Sequence, residues 1–153
     1  MDARHFAQRF LLDEIDQMKA ADVQLHLLSA ITHGIETAGA LLDNLPYKAK
    51  GQGRKRFDLA LKKLFPASYG EANGRISLYT QLRSHLSHCM IPANNVAVSP
   101  VKEHHLHFDG KLLEISLCTL YVDYRCAILK LIQLIEEGKL KNKLIQFENV
   151  NSL

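Results

Sequence analysis

The sequence predicts a mainly all-α fold: an up-and-down bundle of four to five helices with a small β-hairpin inserted before the last long helix. Three observations carry this expectation. Apolar residues recur at threes and fours through most of the chain, which is the period of a helix with one buried face. Pro46, Pro66 and Pro92 fall between those runs and end them. Asp109-Gly110 stands between two short β-prone runs, a hairpin signal of the type I′ kind. With 153 residues, 47% hydrophobic and 23% charged, the chain is one domain's worth, and a disordered class is excluded.

The elements follow in order. Residues 4–19 place Phe6, Phe10, Leu11, Ile15 and Met18 on one helical face. Asp22 is the expected N-cap of a second helix carrying Val23, Leu27, Ile31, Ile35, Ala38, Leu42 and Leu45, stopped by Pro46. Gly51-Gln52-Gly53 is a loop, and a short helix over about 54–64 presents Phe57, Leu61 and Leu64. Pro66, Gly70 and Gly74 are expected to break the chain. A fourth helix over about 74–89 carries Leu78, Tyr79, Leu82, Leu86 and Cys89. The hairpin spans 105–115. The last helix, about 116–137, ends before Gly138 and is apolar nearly all round, so it is expected to be buried on several sides or to line a dimer interface. The tail, 139–153, is polar and left unassigned, apart from a short run of Leu144, Ile145 and Phe147.

No run of 18 apolar residues is present, so no membrane span is expected. The first residues, MDARHFAQRFLLDEIDQ, lack the apolar core of a targeting segment. The three cysteines, Cys89, Cys118 and Cys126, form no CxxC pair. Cys118 and Cys126 would lie about 12 Å apart along one helix, too far for a bond. A reduced, cytoplasmic protein is the expectation.

Charge is uneven. Residues 1–44 carry 3 basic and 7 acidic side chains, whereas residues 48–63 carry 7 basic and 1 acidic. Lys48, Lys50, Arg54, Lys55 and Arg56 in that stretch are candidates for binding a polyanion, RNA first among them.

The chemistry concentrates in Leu78-Tyr79-Thr80-Gln81-Leu82-Arg83-Ser84-His85-Leu86-Ser87-His88. An arginine offers a charged fork for phosphate oxygens, and a histidine titrates near neutral pH and suits proton transfer. The spacing Arg83-x(4)-His88, late in a helical chain and preceded by Leu82, resembles the HEPN superfamily of small helical-bundle proteins. The resemblance covers residues 20–137 as a pattern of elements, and the hexapeptide is its residue-level match. It implies a homodimer with motif helices facing across a cleft. It also implies a metal-independent ribonuclease or toxin-type protein, in which Arg83 holds the scissile phosphate and His88 moves a proton at the 2′-hydroxyl. Ser84 and His85 are auxiliary candidates. Catalytic members commonly carry Asn, Asp or His after the arginine, whereas this chain has Ser84. That departure keeps open a non-catalytic assembly module, paired with a partner protein such as a nucleotidyltransferase.

Geometry sets a condition. Five residues of ideal helix turn about 500°, so Arg83 and His88 would point about 140° apart. A distorted helix end or a second motif from a partner subunit is needed for convergence. His85 and His88, with His104, His105 and His107, invite a metal site, but no Cys or carboxylate completes a ligand spacing. His105 and His107 are expected as polar surface on a strand. Ser84 and Ser87 beside His85 and His88 lack a nucleophile elbow. Gly51-Gln52-Gly53-Arg54-Lys55 lacks P-loop spacing. No cofactor and no metal are expected.

Overall fold

The computed structural model describes residues 1–146. It is mostly helical, with six helices among the described residues and one three-stranded sheet.

Helix α1 is built from Ala3–Phe6, a π-helical stretch Ala7–Asp13, and Glu14–Ala20. Its start is capped by Asp2, whose carboxylate accepts the His5 backbone N–H at 2.8 Å. Helix α2, Gln24–Leu42, is the central one. Asp22 does not cap it. Asp22 takes a left-handed backbone (φ 54°) in the tight corner between α1 and α2, and Val23 occupies the cap position. A Ser/Asp-type cap signal fails here because the corner, not the helix, claims the aspartate. The helix also stops earlier than Leu45, at Leu42, where Asp43 turns extended.

Helix α3, Gly53–Leu64, lies across α2. The two backbones touch at Gly39: a Cβ there would sit 1.9 Å from the Arg56 carbonyl oxygen. A helix-interior glycine costs about 1 kcal/mol against alanine, and here the close crossing uses the missing side chain. Helix α4, Ala67–Ile76, was not expected from Pro66, Gly70 and Gly74. Pro66 is compatible with a helix start, and Gly70 and Gly74 face open space. The helix is anchored instead by buried Tyr69 and Ala72. It ends at Ser77 in a left-handed conformation (φ 53°), so the helix expected over about 74–89 starts only after this break, at Tyr79.

Helix α5 begins with a π-helical stretch, Tyr79–Ser84, and continues as His85–Cys89. Strand β1, Val96–Ser99, was not legible in the sequence. It runs parallel to β3, Leu112–Ser116, which also pairs antiparallel with β2, His107–Asp109. The sheet order is β1-β3-β2, so the expected hairpin is present with an added strand. Its loop is Gly110-Lys111, and Gly110 alone has positive φ (59°), the pattern of a II′ turn rather than I′.

Helix α6, Leu117–Glu136, is capped by Ser116 and closed by Gly138 (φ 67°) in a Schellman arrangement, with Lys139 N–H bonded to the Leu134 carbonyl. Leu120, Tyr124, Ile128 and Leu131 from α6 pack with Leu27, Ile31 and Ile35 of α2 in the core. Tyr124 lies over Gly34, and burial pushes its phenol up. The helix is not buried all round: Val122 (51%) and Leu129 (45%) are exposed. All three cysteines are free.

The tail is ordered as far as it is described. Ile145 N–H bonds the Met1 carbonyl, and Lys143 is buried, its Nζ donating to Ala40 O and to Asp43 Oδ1. Phe147 lies outside the described residues. No described helix is long and apolar enough to cross a membrane.

Candidate functional site

Residues three or four apart share one face of a helix. Arg83 and Ser87 therefore face the same way on α5, and they face α2. Glu36 and His33, three apart on α2, meet them. The Arg83 guanidinium pairs through Nε with Glu36, both side chains being about three-quarters buried. The guanidinium also lies 5.6 Å from the centre of the Tyr79 ring, a cation–π contact. One turn on, His33 Nε2 is 2.7 Å from Ser87 Oγ, and His33 Nδ1 is 2.7 Å from the Ser29 carbonyl oxygen. A carbonyl only accepts, so Nδ1 carries a proton, and Nε2 is the ring nitrogen that faces Ser87. The Ser87 hydroxyl has a second acceptor, the Arg83 carbonyl at 2.9 Å. It can turn from one to the other.

Leu78, Leu82 and Leu86 are buried and hold α5 on the core. The π-helical stretch inserts an extra residue before the α-helical end. It does not bring the motif pair together. Arg83 is turned to Glu36, whereas His88 is exposed and makes no contact with it. Ser84 is half-buried and His85 is exposed.

The basic stretch divides. Lys48, Lys50, Arg54 and Lys55 are exposed. Arg56 is not part of that surface. It is 7% exposed, and its guanidinium donates to Asp43 Oδ2 (2.7 Å), the Tyr47 carbonyl (2.8 Å) and the Pro46 carbonyl (2.8 Å). A helical repeat turns successive residues about 100° apart, and that rotation puts Arg56 inward while Arg54 and Lys55 stay out. Burial alone would raise the Asp43 carboxyl, but the bonds from Arg56 and Lys143 hold it below its ordinary value. The outer part of the stretch borders the motif helix. Arg54 donates to Ser77 Oγ at 3.1 Å, and a Cβ on Gly53 would lie 2.6 Å from Tyr79 Oη and 2.9 Å from Glu36 Oε1.

The histidines near the hairpin disperse. His104 pairs with Glu114 at 2.6 Å, and His107 is exposed on β2. His105 is not strand surface. It turns inward, accepts the Ser116 N–H on Nδ1 at 3.2 Å, and meets Tyr69 Oη through Nε2 at 2.8 Å. Tyr69 in turn donates to Asp123 at 2.8 Å. Burial pushes the His105 imidazolium down and the Tyr69 phenol up. Among the described residues, no three His, Cys, Asp or Glu side chains gather where a metal could be held.

Sequence reasoning thus found Arg83 and missed Glu36, His33 and Tyr79 as its company. The signal was there in part: His33 and Glu36 are titratable residues three apart on a helix that is otherwise mostly apolar. No protein-family model, no curated protein and no solved structure matches the chain, so the HEPN resemblance stands on the Arg83–His88 segment and the order of the helices alone.

Proposed function

We propose that this chain is an RNA-directed, HEPN-like protein that cleaves RNA without a metal ion. In this reading Arg83 holds the scissile phosphate and His88 takes part in proton transfer. The observation that carries it is the seat of Arg83: a guanidinium oriented by Glu36 and Tyr79, beside the exposed cations Arg54 and Lys55 at the start of α3. Such an arrangement suits a polyanion that approaches along α3 and reaches Arg83. The four-to-five-helix up-and-down arrangement, the homodimer and the cytoplasmic setting belong to the same proposal. The exposed apolar residues Val122 and Leu129, with exposed Cys126 between them on α6, offer a surface that a second copy would cover.

A second reading has its own support. Arg83 is already paired with Glu36, and His88 is exposed at the surface. A non-catalytic module that binds a partner protein, such as a nucleotidyltransferase, would use Arg83 to fix α5 on α2.

The test is RNA cleavage in excess chelator by wild type, Arg83→Ala and His88→Ala. The expected result is cleavage by wild type and loss in both variants, with thermal unfolding little changed. Equal cleavage by all three ends the catalytic reading. Arg54→Ala with Lys55→Ala should weaken single-strand binding and flatten its salt dependence by about 0.7 in log–log slope per lost phosphate contact.

A further inference from the structure

We infer that His33 is a second proton-transfer group of this site, facing Arg83 within the same chain; the inference rests on the ribonuclease reading above. Within one chain His88 is exposed and Arg83 is turned to Glu36, so the histidine of the motif does not meet its own arginine. Ser87, four residues from Arg83, shares a face with that arginine, and the imidazole that meets Ser87 comes from α2. His33 and Glu36 are one turn apart on α2, as Ser87 and Arg83 are on α5, so the two contacts stack side by side. A phosphate held by Arg83 would lie beside His33.

The imidazole is prepared for this work. The Ser29 carbonyl fixes its tautomer through Nδ1, leaving Nε2 to take a proton. Ser87 Oγ occupies Nε2 at 2.7 Å, but the Arg83 carbonyl gives that hydroxyl another acceptor at 2.9 Å. When the hydroxyl turns to the carbonyl, Nε2 is free. His33 is half-buried, and its Nε2 contact with Ser87 lies at the exposed surface.

The step balances without redox chemistry or a metal. His33 Nε2 accepts the proton of the ribose 2′-hydroxyl. The 2′-oxygen forms a bond to phosphorus, and the bond from phosphorus to the 5′-oxygen breaks. The leaving oxygen takes a proton from water, or from the His88 of a second copy in the proposed homodimer. Arg83 balances charge on the phosphoryl oxygens, and the products are a 2′,3′-cyclic phosphate and a free 5′-hydroxyl.

The experiment compares wild type, His33→Gln, His33→Ala and Arg83→Ala on a single-stranded RNA, with kcat and KM read separately across pH. Glutamine keeps a polar group between Ser29 and Ser87 and cannot act as the base. The expected result is a fall in kcat of roughly 10²-fold or more for His33→Gln with KM little changed. The rise of kcat with pH on the acid side of the profile should be lost with it. Cleavage by His33→Ala should return when imidazole is added to the buffer, which a structural role does not allow. If His33→Gln cleaves at the wild-type rate while Arg83→Ala does not, the role of His33 is overturned and the ribonuclease reading survives. If wild type leaves RNA intact, or Arg83→Ala cleaves as wild type does, the reading falls and takes this inference with it.

Discussion

Arg56 and Arg83 each pair with a carboxylate of the α2 region, Arg56 with Asp43 at the C-terminal cap and Arg83 with Glu36 two turns earlier. The Arg56 side chain is 8% exposed, and Nε and both terminal nitrogens are all bonded. Arg83 is 24% exposed; its Nε pairs with Glu36 and its guanidinium lies over the Tyr79 ring, whereas no hydrogen bond among the described residues engages its terminal nitrogens. A buried guanidinium must have every donor satisfied or pay a large desolvation cost. A half-open one can leave donors to water. Arg56 is therefore committed to the fold, whereas Arg83 keeps hydrogen-bonding capacity for a ligand. Two arginines in the same half of the chain look alike in sequence and differ in what they have left to give.

The comparison breaks most easily at the Arg56 end. Asp43→Ala should cost about 3–5 kcal/mol, because it strands Arg56 and Lys143 as buried cations. The check is chemical denaturation, with an unchanged slope and a lower midpoint. A loss below 1 kcal/mol would mean that the hub is better solvated than its geometry says.

Acidity separates the networks next. The Asp43 carboxyl sits below its ordinary value of 3.8, so its contribution is full above that pH and is lost as pH falls through it. His105 behaves in the opposite chemical sense but with the same direction in pH. Burial lowers its imidazolium below the ordinary 6.5, so the folded chain prefers the neutral ring. Below about pH 6.5 the unfolded chain takes up the proton first, and stability declines as pH falls toward the folded value. Three charged or polar groups face it: Asp123, the Tyr69 hydroxyl and the Ser116 backbone N–H. Wild-type stability should fall as pH drops below 6.5, and His105→Asn should flatten that fall. A slope that survives the substitution would assign it to another group.

The smallest effect belongs to Arg83. Partly exposed ion pairs contribute about 0.2–1 kcal/mol, so Arg83→Ala should unfold within about 1 kcal/mol of wild type. A loss as large as that of Asp43→Ala would make Arg83 a structural residue and favour the binding-module reading.

Much of the fold was legible. The apolar repeats of α1, α2, α3 and α6 are long enough for a core to be written in their period, and Gly138 marked the end of α6. Strand β1 was not, because a four-residue parallel strand has too few positions to show alternation. Helix α4 was hidden by glycines that sit on its solvent side. The site was legible only along the chain. Arg83 and His88 are neighbours in sequence, but Glu36 and His33 reach Arg83 and Ser87 through the packing of α2 on α5, which no local spacing encodes.

The π-helical stretch of α5 has one more consequence. A wide turn is how a helix absorbs a single inserted residue without losing its anchors on either side. Leu78 is seated before the stretch and Leu86 after it, both buried. Removing one residue between them would restore an even pitch and leave both leucines unable to reach their places together. The length of this segment, and not only its residue types, is therefore part of what positions Arg83. A chain one residue shorter here would carry the same motif and aim it elsewhere.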